Sequence, residues 1–273
     1  MLVTPDAPVG ALLRHWRQRR HLSQLDFAGE ADISTRHLSC METGRALPSR
    51  AMLLRLFERL EVPLRERNRL LAAAGYAPLY SQRALDDPAL QAAREAIERV
   101  LTGHEPYPAL AVNRRWELLA HNRAVPPLLA GVAPELLAPP VNVLRLSLHP
   151  QGLAPRIVNL DDWRTHLFAR LRRDIELSGD AALEALQQEL QAYPCDPPAR
   201  PATPADGAAP PGVIVALRFR SPVGELSLIS TITVFGTPLD VTVSELAIES
   251  FFPADSATAE ALRRLLEESL APA

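Results

Sequence analysis

Val9-Gly10-Ala11-Leu12-Leu13-Arg14-His15-Trp16, then Leu22-Ser23-Gln24, Phe27-Ala28, Asp32-Ile33-Ser34-Thr35-Arg36 and Leu38-Ser39 through Met41-Glu42-Thr43-Gly44-Arg45, decide how this chain begins to fold. Val9, Leu12, Leu13 and Trp16 recur at i, i+3, i+4 and i+7, which predicts one apolar stripe on a first helix. Arg14, Arg17, Arg19 and Arg20 fall on the other face. Ser23 is placed to cap a short second helix with Phe27, Ala28 and Ala31 inward, and the small Ala28 lets a neighbouring helix come close. Asp32-Ile33 makes a turn, and Ser34 caps a third helix with Leu38 and Met41 inward. Thr35, Arg36 and Ser39 then share its outward face. Gly44 ends it as a C′ glycine. Pro48 and Pro63 open two further helices, with Leu53, Leu56 and Leu60 inward on one and Leu64 to Leu71 on the other, which stops at Gly75.

These residues, over about 8 to 75, resemble the lambda-repressor and Cro-like helix-turn-helix, the xenobiotic-response-element family. The resemblance implies a five-helix, all-α domain over residues 1–80 that binds a double-stranded DNA operator, with its third helix in the major groove. It implies DNA contacts from Ser34, Thr35, Arg36, Ser39 and Arg45, with Gln24 on the DNA backbone. Where that family usually has Gly in its turn this chain has Asp32, a residue that tolerates the left-handed conformation.

Charge divides along the chain. Residues 1 to 80 carry 12 Arg against 8 acids, while the whole chain of 273 residues has a formal net charge of −3. The first part is therefore suited to approach phosphate and the rest is not. All 29 basic residues are Arg, a bias that an Arg-rich and Ala-rich coding background also produces, so it argues little. The length allows two cores. No apolar run reaches a membrane span and no basic start leads into an apolar stretch, so the expected location is the cytoplasm, without membrane association. Cys40 and Cys195 are too few for a disulfide framework.

A boundary is expected at residues 76 to 87, followed by a second domain over 88–273. Pro88 to Leu101 reads as a helix. Ala109 to Val112 and Trp116 to Leu119 read as two strands about a polar turn at Asn113-Arg114-Arg115. Asn159 and Asp180 are placed to cap two amphipathic helices, one carrying Leu160, Trp163, Leu167, Leu171 and Ile175, the other Leu183, Leu186 and Leu190. Pro194 to Pro211 holds seven prolines and reads as a mobile loop. Strands are then expected at Val213 to Phe219, Leu226 to Val234 and Val241 to Phe251, and a last helix capped near Asp255 or Ser256 presents Leu262, Leu265, Leu266 and Leu270. Two strands, a helical insert, three strands and a helix fit an α+β, PAS-like domain with a five-stranded antiparallel sheet.

Glu105-Pro106-Tyr107-Pro108-Ala109-Leu110-Ala111-Val112, Arg115-Trp116-Glu117, Ala120-His121-Asn122, Asn142-Val143-Leu144-Arg145-Leu146 and the strands from Gly224 to Phe252 are similar to the MmyB-type ligand-binding domain over about residues 88 to 270. That resemblance implies a regulator, expected to be a homodimer, that senses a small apolar molecule, with fatty acids the leading class. The candidate lining is Leu110, Val112, Leu118, Leu228, Ile232 and Val234, with Arg145 and His149 as an anion anchor for a ligand carboxylate. The spacing alone does not say which strand face looks inward. A ligand-free dimerisation or partner-binding module is the other reading of this domain.

Chemistry of other kinds finds no pattern here. The seven His make no pair at metal-ligand spacing, and neither a nucleophile elbow, a Walker loop nor a dinucleotide fingerprint occurs, so neither enzyme activity, metal nor cofactor is expected. His166 four residues after Asp162 reads as a surface helix pair. Glu245 and Glu249, four apart on an expected strand, imitate an acid pair but read as a solvated strand face.

Overall fold

The computed structural model describes residues 7–194 and 215–270, so the proline-rich loop expected from Pro194 to Pro211 lies, apart from Pro194, outside the described residues. The chain divides into two compact units, residues 1–84 with 237–244, and residues 85–236 with 245–273.

The first unit is a five-helix bundle: α1 Val9–Arg19, α2 Gln24–Glu30, α3 Thr35–Glu42, α4 Arg50–Arg59 and α5 Leu64–Ala73. Its starts follow local chemistry. Ser23 accepts from the Asp26 amide and Asp26 answers in a capping box, Ser34 accepts from the His37 amide, and Ser49 from the Met52 amide. The fourth helix therefore opens at Arg50 behind Ser49 rather than at Pro48. Leu13, Phe27, Leu38, Leu53, Phe57 and Leu70 are fully buried. Each such side chain stabilises the unit by about 1.5–3 kcal/mol relative to exposure. Asp32 takes φ 52, the left-handed turn conformation, and Gly44 takes φ 75 past the end of α3. A Cβ on Gly10 would stand 2.3 Å from Met41 O and 2.8 Å from Glu42 O, so only glycine lets α1 seat against the end of α3.

The basic face expected on α1 is partly structural. Arg17 is buried and pairs with Glu42, and Arg20 donates from Nε to Leu60 O at 2.8 Å and from Nη2 to Glu61 O at 3.0 Å. Both guanidiniums tie helices together, Arg17 out of reach of solvent and Arg20 half-buried. Part of the unit arrives from far along the chain. Val241 donates its amide to Ser81 O at 2.8 Å, Arg83 pairs with Asp240 at 3.1 Å, and Thr242 Oγ1 donates to Arg83 O at 2.6 Å.

The second unit is built on a five-stranded antiparallel sheet of order β2-β1-β5-β4-β3, with β1 Ala109–Val112, β2 Leu118–His121, β3 Leu217–Ser221, β4 Gly224–Val234 and β5 Ala247–Pro253. Its helices are α6 Gln91–Gly103, α7 Val143–Leu148, α8 Leu160–Ser178, α9 Ala181–Gln191 and α11 Ser256–Leu270. Ala109, Ala111 and Ile248 pack on one face with Ile97 and Leu101 of α6. Val112, Phe219, Leu226 and Leu228 pack on the other with Leu167, Leu171, Leu186 and Leu262. A bulge makes Val112 partner Leu118 while Ala111 partners Ala120. It sends Leu118 and Ala120 to opposite faces, which an unbroken strand does not do.

Several expectations are corrected. The strand expected over Val241 to Phe251 is a short helix, α10 Val241–Ser244, followed by β5. Asp240 accepts from the Thr242 amide at 2.9 Å and turns the chain there. Trp116 precedes β2 at φ 64. Asn159 stands at the start of α8 without capping it; its amide instead pairs with Ala216 O and the Arg218 amide beside β3. Leu270 is exposed at the end of α11.

Candidate DNA-reading surface and apolar cavity

In the helical unit, Thr35 and Arg36 are exposed in the first turn of α3, and Ser39 is half-buried one turn on. Ser34 spends its hydroxyl on the helix cap. Among the described residues Arg36 and Arg45 make no side-chain hydrogen bond, so both guanidiniums face water. Gln24, expected on the DNA backbone, donates its amide to Glu42 Oε2 at 2.7 Å. Glu42 also takes Arg17 Nε at 2.6 Å and Nη2 at 3.0 Å. Gln24, Arg17 and Glu42 thus link α2, α1 and α3. Sequence reasoning missed that pair because both partners look like ordinary surface charges; only their positions against the apolar stripes of their own helices hint at it.

In the second unit, a cavity of about 110 Å³ opens between the sheet and α7 and α8. Leu110, Leu118, Leu228 and Phe251 line it from the sheet, Leu144 and Ser147 from α7, and Trp163 and Leu167 from α8. Trp163 Nε1 donates to Ser147 Oγ at 3.1 Å, which satisfies both polar atoms in an apolar wall. The wall also contains Glu249.

Three of the expected lining residues, Leu110, Leu118 and Leu228, therefore come together, and the others do not. Val112 is buried in the core beside the cavity. Ile232 and Val234 share the strand face of Leu228 but lie 46% and 64% exposed, beyond the reach of the covering helices. Arg145 is no free anchor. Its Nε and Nη2 each donate to Glu189 at 2.7 Å, and Tyr193 OH adds a third bond to the same carboxylate at 2.6 Å. The Arg145 guanidinium holds the Glu189 carboxyl below the usual range, while burial and then Glu189 push the Tyr193 hydroxyl up to about 12. His149 packs edge-on against Tyr193 at 4.9 Å.

The acid pair is also redrawn. Glu249 is buried and bound by Arg170 at 3.0 Å, whereas Glu245, outside β5, pairs with Arg114 at 3.7 Å. Arg170 lies 4.0 Å over the Trp116 ring, and Trp116 Nε1 donates to Asp174 Oδ2 at 3.1 Å. His166, expected to pair with Asp162, stacks on Trp163 instead at 5.3 Å. Burial first, then Arg170, holds its imidazole below the ordinary value. Among the described residues no group of three or more His, Cys, Asp or Glu is placed to hold a metal ion. Among them, too, no helix is long and apolar enough to cross a membrane.

A helix-turn-helix in one unit and a sheet with an apolar cavity in the other define a DNA-binding transcription regulator with a separate ligand-binding domain. Residues 93–265 match the family model of the MmyB-like transcription regulator ligand binding domain, and residues 8–70 match that of a helix-turn-helix domain. The chain belongs to the MmyB-like family. A solved structure titled as the clp gene regulator ClgR from Corynebacterium glutamicum is 26% identical, over 38% of this chain and 97% of that one, with a TM-score of 0.23. No curated protein matches the chain.

Proposed function

We propose that this regulator binds its operator as a homodimer through Thr35, Arg36 and Ser39, and that a small apolar molecule in the cavity of the PAS-like domain changes operator affinity. The observation that carries the ligand half is the cavity, bounded by aliphatic and aromatic side chains at the junction of sheet and helices. At about 110 Å³ it is of the same order as the roughly 150 Å³ core cavity that binds benzene, room for about one small ring. As it stands it seats a small apolar molecule, or the short end of a fatty acid. A longer chain gains about 0.8 kcal/mol for each further methylene only if the walls open.

A route for the coupling is present in the chain itself. Strands β4 and β5, which carry Leu228, Glu249 and Phe251 of the wall, are joined by residues 237–244, and those residues fold as part of the helical unit. A ligand that shifts the two strands pulls on that joining segment. A coupling of ~1–3 kcal/mol between ligand and operator is enough for a switch. Dimerisation is supported by operator geometry, because one helix-turn-helix reads few base pairs and two copies reading half-sites a helical turn apart are the usual remedy.

The test takes the full chain, extracts it with organic solvent, identifies released small molecules by mass spectrometry, and measures affinity for a selected operator before and after. A changed operator affinity and a dimeric mass on DNA are expected. Unchanged affinity in protein shown to release and rebind a small molecule refutes sensing, and a monomer on the full operator refutes the dimer.

A further inference from the structure

The cavity wall holds one side chain that an apolar pocket does not need. Glu249 sits in the middle of β5, between Leu110 on β1 and Ile232 on β4, and is only 5% exposed. Its Oε1 accepts from Arg170 Nη1 at 3.0 Å, and among the described residues Oε2 makes no hydrogen bond. The guanidinium that neutralises it stands behind the wall over Trp116 and is not part of the lining. Among the described residues no Arg or His lines the cavity. The cationic candidate that sequence suggested, Arg145, is bound on two nitrogens by Glu189.

We infer that Glu249 makes the cavity select its ligand by charge, admitting a neutral molecule or one that brings a hydrogen-bond donor to the carboxylate, and rejecting a carboxylate anion. The inference rests on the cavity being the ligand site. The physical reason is that an incoming anion meets a fixed negative charge in a wall too apolar to screen it. Arg170 offsets this only in part, since the carboxylate end of the pair meets the cavity while the guanidinium stands behind the wall, where Asp174 also faces it one turn along α8. A hydroxyl or amide N–H, by contrast, finds an acceptor with a free oxygen, and charge-assisted bonds of that kind are the stronger class. A neutral apolar body meets no such repulsion, but it leaves that oxygen unpaired and so binds less well than a donor of the same size. The ligand's polar end is thereby defined as a donor, which separates an alcohol, phenol or amide from the fatty-acid anion.

The experiment uses the full chain and three probes on one ring: benzene, phenol and benzoate at pH 7. Binding is followed by methyl NMR shifts of Leu118 and Leu228, and dissociation constants are taken from the titrations. Benzene and phenol are expected to bind, phenol the tighter, and benzoate at least tenfold more weakly than phenol. In Glu249→Gln the phenol-to-benzoate ratio is expected to shrink at least tenfold, because Arg170 is left uncompensated behind the wall. A purely structural ion pair changes stability in that variant and leaves the ratio where it was. Benzoate binding as tightly as phenol to the unaltered protein overturns the inference while leaving the cavity as a site. Failure of benzene and phenol to shift either methyl overturns the cavity reading and the inference together. The ratio in the unaltered protein decides the matter even if Glu249→Gln does not fold.

Discussion

Replacing Glu42 by Ala strips the helical unit of the group that neutralises Arg17. The two side chains are 1% and 9% exposed, and the pair is bidentate, at 2.6 Å and 3.0 Å. In Glu42→Ala the guanidinium keeps its bond from Nη1 to Leu22 O at 2.7 Å but loses both charged ones, and Gln24 loses its acceptor as well. Breaking a buried pair from one side costs about 3–5 kcal/mol. At about 1.4 kcal/mol per decade that speeds hydrogen exchange of the amides opened by unfolding of this unit by roughly a hundredfold to a few thousandfold. Native-state exchange on the full chain reads this at the fully buried Leu53, Leu56 and Leu70, with amides of the sheet as an internal reference. Gln24→Ala, which removes one bond to the carboxylate, is expected to give about 1.5–3 kcal/mol. The double change Arg17→Met with Glu42→Leu is expected to recover most of the loss, since it removes both buried charges at once, less the bond Arg17 makes to Leu22 O. An increase below tenfold in Glu42→Ala, or a double variant less protected than Glu42→Ala, refutes the reasoning.

Arg36→Ala is expected to weaken cognate operator binding by about 1–3 kcal/mol and to relax preference at one base position; equal weakening on random DNA in a competition assay removes the base-reading role. Gly10→Ala forces a methyl against the Met41 and Glu42 carbonyls and is expected to cost about 1–3 kcal/mol in chemical denaturation of the helical unit, with an unchanged midpoint as the contrary result. Asp174 is raised above the ordinary carboxylate value chiefly by burial, against Arg170 and the Trp116 bond. Its favourable contribution is therefore full below the unfolded value and lost as pH rises through the folded one. Asp174→Asn is expected to raise the melting temperature at pH 7 and to leave it unchanged near pH 3, and an equal shift at both values rejects the assignment.

Much of the architecture was legible in short stretches because its causes are local. Ser23, Ser34 and Asp180 mark helix starts since a hydroxyl or carboxylate there reaches amides two or three residues ahead. Asp32 and Gly44 mark turns since their backbones reach positive φ at low cost. Periods of 3.6 and 2 separated the helical beginning from the stranded end. The alternation along Leu226, Leu228, Ile232 and Val234 fixed which residues share a strand face. Only the length of the covering helices decided that Leu228 is in the cavity wall while Ile232 and Val234 are exposed.

The remaining differences lie where partners are far apart in the chain. Arg145 reads as a free cation until Glu189, 44 residues on, meets it, and Glu249 reads as a solvated acid until Arg170, 79 residues earlier, covers it. Val241 reads as the start of a strand until its neighbour Asp240 pairs with Arg83, 157 residues away, and the segment joins the helical unit. Composition, caps and periodicity act within a turn or two of helix or strand, so the sequence by itself determines the type of the longer elements, their order and the outward placing of Thr35 and Arg36. Charge pairing and the burial of a strand face are free-energy differences between environments made by distant segments. Tertiary structure alone therefore decided the shape of the cavity, the charge in its wall and the joining of residues 237–244 to the DNA-reading unit.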